Sequence, residues 1–132
     1  MNILFLDDEK IRHDLADKYL VGHTALHAYT APQAIDMIDT SKDKIDLALL
    51  DHDLHHFIEE NGHRSERHGV WFVSHLLTDI PSDKWFSRAI VHSYNADGGR
   101  YMCDDLRKAG IQADYRPFSG SMLRELVEEI KQ

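Results

Sequence analysis

A chain of 132 residues with 42% hydrophobic side chains can build one self-sufficient core without disulfide staples. Its net charge of −8 excludes bulk, phosphate-neutralising nucleic-acid binding but leaves room for a small phosphorylated molecule or an RNA end held locally. The lone Cys103 excludes an intrachain disulfide framework. No apolar run approaches a membrane span and no signal peptide is in view, so the expected setting is reducing and cytoplasmic.

The elements alternate along residues 1–132, read as a single domain without repeats or low-complexity linkers. NILFL (2–6) is a continuous apolar run and predicts a buried strand. Residues 9–20 predict a helix with Ile11, Leu15 and Tyr19 on one face. HTALHAY (23–29) predicts a less buried strand, and 31–41 a helix capped by Thr30, with Pro32 tolerated in its first turn. KIDLALL (44–50) is the next apolar strand, and a polar loop follows from Asp51 to about Arg67. Residues 68–80 read as a helix stopped by Pro81, with Trp71, Phe72, Val73, Leu76 and Leu77 as core. Trp85 and Phe86 then close the amino-terminal end of the core before the strand RAIVHS (88–93). A helix over 96–110 ends at Gly110, IQADY (111–115) is the fifth strand, and 121–132 closes as an amphipathic helix.

Three of these strands are apolar throughout rather than alternating, the mark of strands covered on both faces. The expected architecture is α/β, a five-stranded parallel sheet with helices on both faces. Ligands of such sheets bind at the carboxyl ends of the strands. Those ends carry Asp7-Asp8, Asp51-His52-Asp53, His92-Ser93-Tyr94-Asn95 and Arg116-Pro117-Phe118. Carboxylates crowded at one rim repel each other, which raises their pKa values or calls in a cation. One reading is a hard divalent ion such as Mg²⁺, which takes one or two carboxylates and keeps waters for a phosphate. The other is a solvated acidic rim with no ion; two acidic clusters on different strands favour the first.

Ten histidines are many for this length. His52 and His92 sit at strand ends that become neighbours in the sheet, where two imidazoles facing a phosphate suit general acid–base hydrolysis. A flanking carboxylate would fix the ring tautomer. Strict alternation puts His92 and Ser93 on opposite faces unless the strand has already turned. His55, His56, His63 and His68 are expected on a mobile lid, with His63 the best candidate for an ordinary exposed position; HDLHH lacks a firm zinc-ligand spacing. His13, His23, His27 and His75 are assigned to surface or packing. Gly98-Gly99 either let a phosphate approach the backbone of the fourth helix or form a turn needing positive φ.

ILFLDDE, IDLALLD, IVHSYN and YRPF together resemble the receiver domain, the phosphoacceptor module of two-component signalling. The resemblance implies a flavodoxin-like sheet in the order 2-1-3-4-5. It implies that Asp7, Asp8 and Asp51 hold Mg²⁺ or another divalent cation, that Asp51 is the phosphoacceptor, that Ser93 contacts phosphate and that Arg116 supplies the cation. Asp53 falls where receivers use a backbone carbonyl as metal ligand, and adds a fourth candidate carboxylate. Several departures stand out: Arg116 in place of lysine, Ala113 at the usual aromatic position, and a long loop after Asp51. With LDDE, LDHDL and HSYNADGGRYM, these resemble the cyclic-phosphate-processing receiver family. That resemblance implies a metal-dependent phosphoesterase acting on cyclic phosphate ends of RNA or nucleotides, with Asp51, His52, His92, Ser93 and Arg116 in its catalytic set. The competing expectations are an atypical receiver phosphorylated on Asp51 and a degenerate receiver serving as a binding module.

Overall fold

The computed structural model describes residues 1–54, 57–60, 62–66 and 68–131, and for 57–60 and 63–66 the backbone alone. Five parallel strands form the central sheet: β1 (Asn2–Leu6), β2 (Thr24–Ala28), β3 (Leu47–Leu50), β6 (Arg88–Val91) and β7 (Gln112–Tyr115). Their order is β2-β1-β3-β6-β7, the expected 2-1-3-4-5 once only the strands of this sheet are counted. The helices are α1 (Lys10–Tyr19), α2 (Ala31–Thr40), α3 (Gly69–Asp79), α4 (Ala96–Lys108) and α5 (Gly120–Ile130).

Alternation along the strands sorts the core into two layers. Leu4, Leu6, Ala48, Leu50, Ala89 and Val91 face α2, α3 and α4, packing with Ile38, Phe72, Leu76, Met102 and Leu106. Ile3, Phe5, Leu47, Leu49 and Ile90 face α1 and α5, packing with Ala16, Leu20, Leu123 and Leu126. Both faces of the three central strands are therefore dry, which is why those runs carry no polar alternation. Phe86 is buried and the half-buried Trp85 donates its Nε1–H to the carbonyls of Leu76 and Ile80, so this pair closes one end of the core as expected.

Two expectations need correcting. Residues within the expected polar loop pair as an antiparallel hairpin, β4 (Phe57–Glu60) and β5 (His63–Glu66), separate from the main sheet. Gly62 turns it with φ of 78°, and Asn61-Gly62 between two short runs is the sequence sign of a two-residue hairpin turn. On α1, Ile11 is 72% exposed, and the buried side chains are His13 and Ala16. Residues at i, i+4 and i+8 drift about 40° per step around a helix. The stripe from Ile11 therefore leaves the core at its first turn, where polar groups take the inward positions.

Candidate functional site

The strand register builds the site. Leu6 pairs with Ala28 and Leu50, Leu50 with Val91, and Val91 with Tyr115. The ladder then continues one step further: Asp7 N bonds Ala28 O, Asp51 N bonds Leu6 O, His92 N bonds Leu50 O and Arg116 N bonds Val91 O, all at 2.9–3.1 Å. The residues after the last full pair thus form one row at the carboxyl edge. In a parallel sheet such a row points to one face, here the α1/α5 face shared with Phe5 and Leu49.

Asp7, Asp51 and His92 converge in that row, each offering a ligand atom within 4.8 Å of the others, and all three are buried. Two carboxylates at that separation repel by about 3 kcal/mol at an effective dielectric near 20. The protein answers with its own cations. Arg12, reaching in from the first turn of α1, places Nη1 3.1 Å from Asp7 Oδ2 and 3.5 Å from Asp51 Oδ2. His92 Nε2–H donates to Asp7 Oδ2 at 2.9 Å, and the Glu9 N–H donates to Asp7 Oδ1 at 2.8 Å. Burial works to raise the Asp7 carboxyl, but the His92 hydrogen bond and charge, the Glu9 N–H and Arg12 outweigh it and hold Asp7 below the usual carboxylate range. Asp51 has weaker help. Burial, reinforced by the Asp7 charge, lifts it to about 6 against the opposing pull of His92 and Arg12.

The imidazole of His92 stacks on Phe5, centroids 5.1 Å apart and planes 2° apart, with Phe118 at 5.5 Å. Among the described residues its Nδ1 has no hydrogen-bond partner. A fully buried ring tied to Asp7 orients that carboxylate. The backbone of Asp7 is held as well: His13 Nε2–H donates to its carbonyl at 2.7 Å, and His13 Nδ1 meets His27 Nδ1 at 2.6 Å. Burial, with the His27 charge adding to it, keeps His13 below the usual imidazole range.

A second group lies on the opposite face. His52 Nδ1–H donates to Asp53 Oδ1 at 2.8 Å, which leaves Nε2 as the basic nitrogen. The His52 ring stacks on His68, centroids 5.0 Å apart. His68 is the cap of α3, accepting the Val70 N–H on Nδ1, so this member of the expected lid belongs to the body of the site. His55, His56 and the side chain of His63 lie outside the described residues. Asn95 caps α4 by accepting the Gly98 N–H at 2.9 Å. Gly98 and Gly99 lie inside α4 without positive φ, and their smallness serves close packing: a Cβ on Gly98 would sit 2.6 Å from the His52 ring, and one on Gly99 2.5 Å from the Tyr115 ring.

A cleft of about 130 Å³ opens beside Asp51, lined by Asp8, Glu9, Arg12, Asp51, Asp53 and Tyr94. The four acidic residues expected at a metal site, Asp7, Asp8, Asp51 and Asp53, are therefore in or immediately beneath one depression. His92 and Ser93 separate as alternation requires. His92 faces Asp7, whereas Ser93 accepts the Asn95 N–H on Oγ and the Tyr115 hydroxyl on its carbonyl. Arg116 lies in the same row as Asp51 but two strands away, and α5 holds it there: Nη1 meets Glu129 Oε1 at 2.9 Å and Asp114 lies 3.8 Å from Nη2. It does not line the cleft; the guanidinium that does is Arg12. Sequence reasoning passed over Arg12 and Tyr94. The available signal for Arg12 was a cation five residues past Asp7, within the first turn of the following helix.

The donor set fits a divalent cation: two convergent buried carboxylates with an imidazole beside them, and further carboxylates at the cleft mouth. Asp51, carrying a charge that Arg12 and His92 only partly offset, is the group a cation would relieve.

A parallel five-stranded sheet in this order, with an acidic cluster at its carboxyl edge, defines the receiver class. Solved receiver domains share the fold. One from Methanospirillum hungatei superimposes with a TM-score of 0.62 at 21% identity, covering 98% of this chain and 90% of that one. One from Methylobacillus flagellatus gives 0.68 at 16% identity, covering 98% of both. One from Clostridium thermocellum gives 0.65 at 15% identity, covering 97% and 91%. Within that class the chain belongs to the cyclic-phosphate processing receiver domain family, whose profile matches residues 2–108. No curated protein matches the sequence significantly. Among the described residues no helix is long and apolar enough to cross a membrane.

Proposed function

We propose that the cleft binds a divalent cation and the phosphate of a small ester, and that the chain opens cyclic phosphates at nucleotide or RNA ends. The observation that carries this is Arg12, a guanidinium bridging two buried carboxylates at the mouth of a phosphate-sized cleft. Asp7, Asp8, Asp51 and Asp53 would hold the ion, Mg²⁺ or Mn²⁺, which when bound polarises a phosphoryl oxygen and lowers the pKa of a coordinated water.

The remaining roles fall to the chain itself. Arg12 uses Nη1 on Asp7 and Asp51 and turns Nε toward Glu9 at 3.6 Å; its Nη2 makes no hydrogen bond among the described residues and is available to a phosphate oxygen. Arg12 takes the part that the family resemblance gives to Arg116, offering one guanidinium nitrogen to a phosphate oxygen while the rest of its fork holds the carboxylates. His52 lies outside the cleft but is hydrogen-bonded to Asp53, which lines it; its part would be to orient Asp53 and to relay a proton through it to or from the reacting group. His92 positions Asp7 without reaching solvent. Ser93, fully buried, fixes the turn that carries Asn95.

The test is hydrolysis of 2′,3′-cyclic AMP by the purified chain with Mg²⁺ or Mn²⁺, followed by ³¹P NMR. Turnover that falls at least a hundredfold in both Arg12→Met and His52→Ala supports the reading. No turnover by the unaltered chain, together with acetyl phosphate labelling that Asp51→Asn abolishes, would replace it with phosphoacceptor signalling.

A further inference from the structure

The cleft is large enough for an ion and a phosphate and too small for a nucleoside. At about 130 Å³ it falls well short of the 300–1,000 Å³ typical of pockets that enclose drug-sized ligands. Whatever group the phosphate esterifies must therefore lie outside the depression, on its rim. Among the residues lining it, five are acidic or basic and one is aromatic, Tyr94.

Three observations set Tyr94 apart from a side chain left out by accident. The residue is 66% exposed, among the most exposed of the large hydrophobic residues described, although it sits at the edge of the buried Phe5–Phe118 cluster. Its hydroxyl is not what holds it in water, because that group donates to the Phe118 carbonyl at 2.8 Å. The ring is thus pinned at its polar tip on a largely exposed residue. Finally, the Arg12 guanidinium lies 5.2 Å from the ring centroid, so the group proposed for phosphate binding and the exposed ring are neighbours. The guanidinium lies over one face of the ring, so a phosphate held by Arg12 would leave its organic substituent beside Tyr94, with the ring's other face as the one a base could take. A flat, rigid, preoriented aromatic surface rewards a planar substituent and gives little to an aliphatic one.

We propose that Tyr94 is the stacking platform for the nucleobase of the substrate, which makes the substrate a nucleoside phosphate rather than an aliphatic phosphate ester. The inference rests on the phosphate-ester reading above and assigns the residue that would select its nucleotide substrate. The net charge of −8 limits the bound nucleic acid to its terminal nucleotide. Stacking on one ring tolerates any base, so purines and pyrimidines are both accepted, purines better because their faces are larger.

The experiment compares kcat/KM for 2′,3′-cyclic AMP with that for glycerol 1,2-cyclic phosphate, which has the same five-membered cyclic phosphate and no base. Taking the ratio cancels any disturbance of Arg12, because both substrates present the same phosphate. The unaltered chain is expected to favour the nucleotide by about tenfold or more, the size of one base–aromatic stack. Tyr94→Leu, which keeps bulk on the turn but removes the ring face, is expected to reduce the ratio by about tenfold; Tyr94→Phe, which keeps the face, retains most of it. An unaltered chain that turns over both substrates equally overturns the platform and upholds the phosphoesterase. So does a ratio that Tyr94→Leu leaves unchanged. A chain that turns over neither overturns both.

Discussion

Replacing Asp51 by Asn is expected to stabilise the fold at neutral pH. Asp51 is 2% exposed, and burial together with the Asp7 charge raises its carboxyl from the ordinary 3.8 to about 6. A carboxyl harder to ionise in the folded chain than in the unfolded one makes folding take up a proton between those two values. The stability linked to Asp51 is then fully present below about pH 4, declines as the pH rises, and is lost once the pH has passed about 6. The interval converts to about 3 kcal/mol lost at pH 7.5. Asn has the shape of Asp51 without the charge, so it escapes this loss, and Arg12 keeps its shorter bridge to Asp7 at 3.1 Å. Asp7, held below the usual carboxylate range, contributes in the opposite sense and at lower pH, so the informative quantity is the difference between variant and unaltered chain. Urea unfolding, followed by the fluorescence of Trp71 and Trp85 with divalent ions chelated, measures it at pH 4, 5.5 and 7.5. The two chains should be equally stable at pH 4 and differ by about 2–3 kcal/mol in favour of Asp51→Asn at pH 7.5. A variant that is no more stable at pH 7.5, or a difference independent of pH, would show that Arg12 and His92 fully compensate the buried charge.

His92→Ala should destabilise by about 3–5 kcal/mol in the same assay, because it empties the space beside Phe5 and Phe118 and takes a hydrogen bond from the buried Asp7 carboxylate; a loss under 1 kcal/mol would mean that Arg12 alone satisfies Asp7. Millimolar Mn²⁺ should raise the thermal midpoint more at pH 7.5 than at pH 5.5, since Asp51 must shed its proton before it can ligate. An equal rise at both values would place the ion away from Asp51.

The sheet was legible because its strands announce themselves twice, once by unbroken apolar runs at 2–6, 44–50 and 88–93, and again by the polar residues that stop them. Thr30 was legible as a cap, and it accepts the Gln33 N–H as a cap does. The acidic site followed from the same logic, since residues one step beyond a buried parallel strand have nowhere to go but the edge. The helix-borne part of the site was harder to read. Arg12 looks like any exposed cation on an amphipathic helix until the sheet brings Asp51 within 3.5 Å, 39 residues away in sequence. His68 looked like one of several loop histidines because its two functions, capping α3 and stacking on His52, are both set by the fold around it. Arg116 matched a motif position, but Glu129, 13 residues further on, determines where its guanidinium points. The hairpin is hard to read because each strand is only four residues long and carries no run of alternation; Asn61-Gly62 is its strongest local sign.

Because Asp7, Asp51 and His92 each sit one residue past the last paired rung, chain length upstream of each is fixed to the residue. Inserting or deleting a single amino acid within β1, β3 or β6 would exchange the two faces of that strand, turning a carboxylate or imidazole toward α2–α4 and a core leucine or valine toward Arg12. Indels are therefore expected to be tolerated between elements and not within the three strands that end at the site.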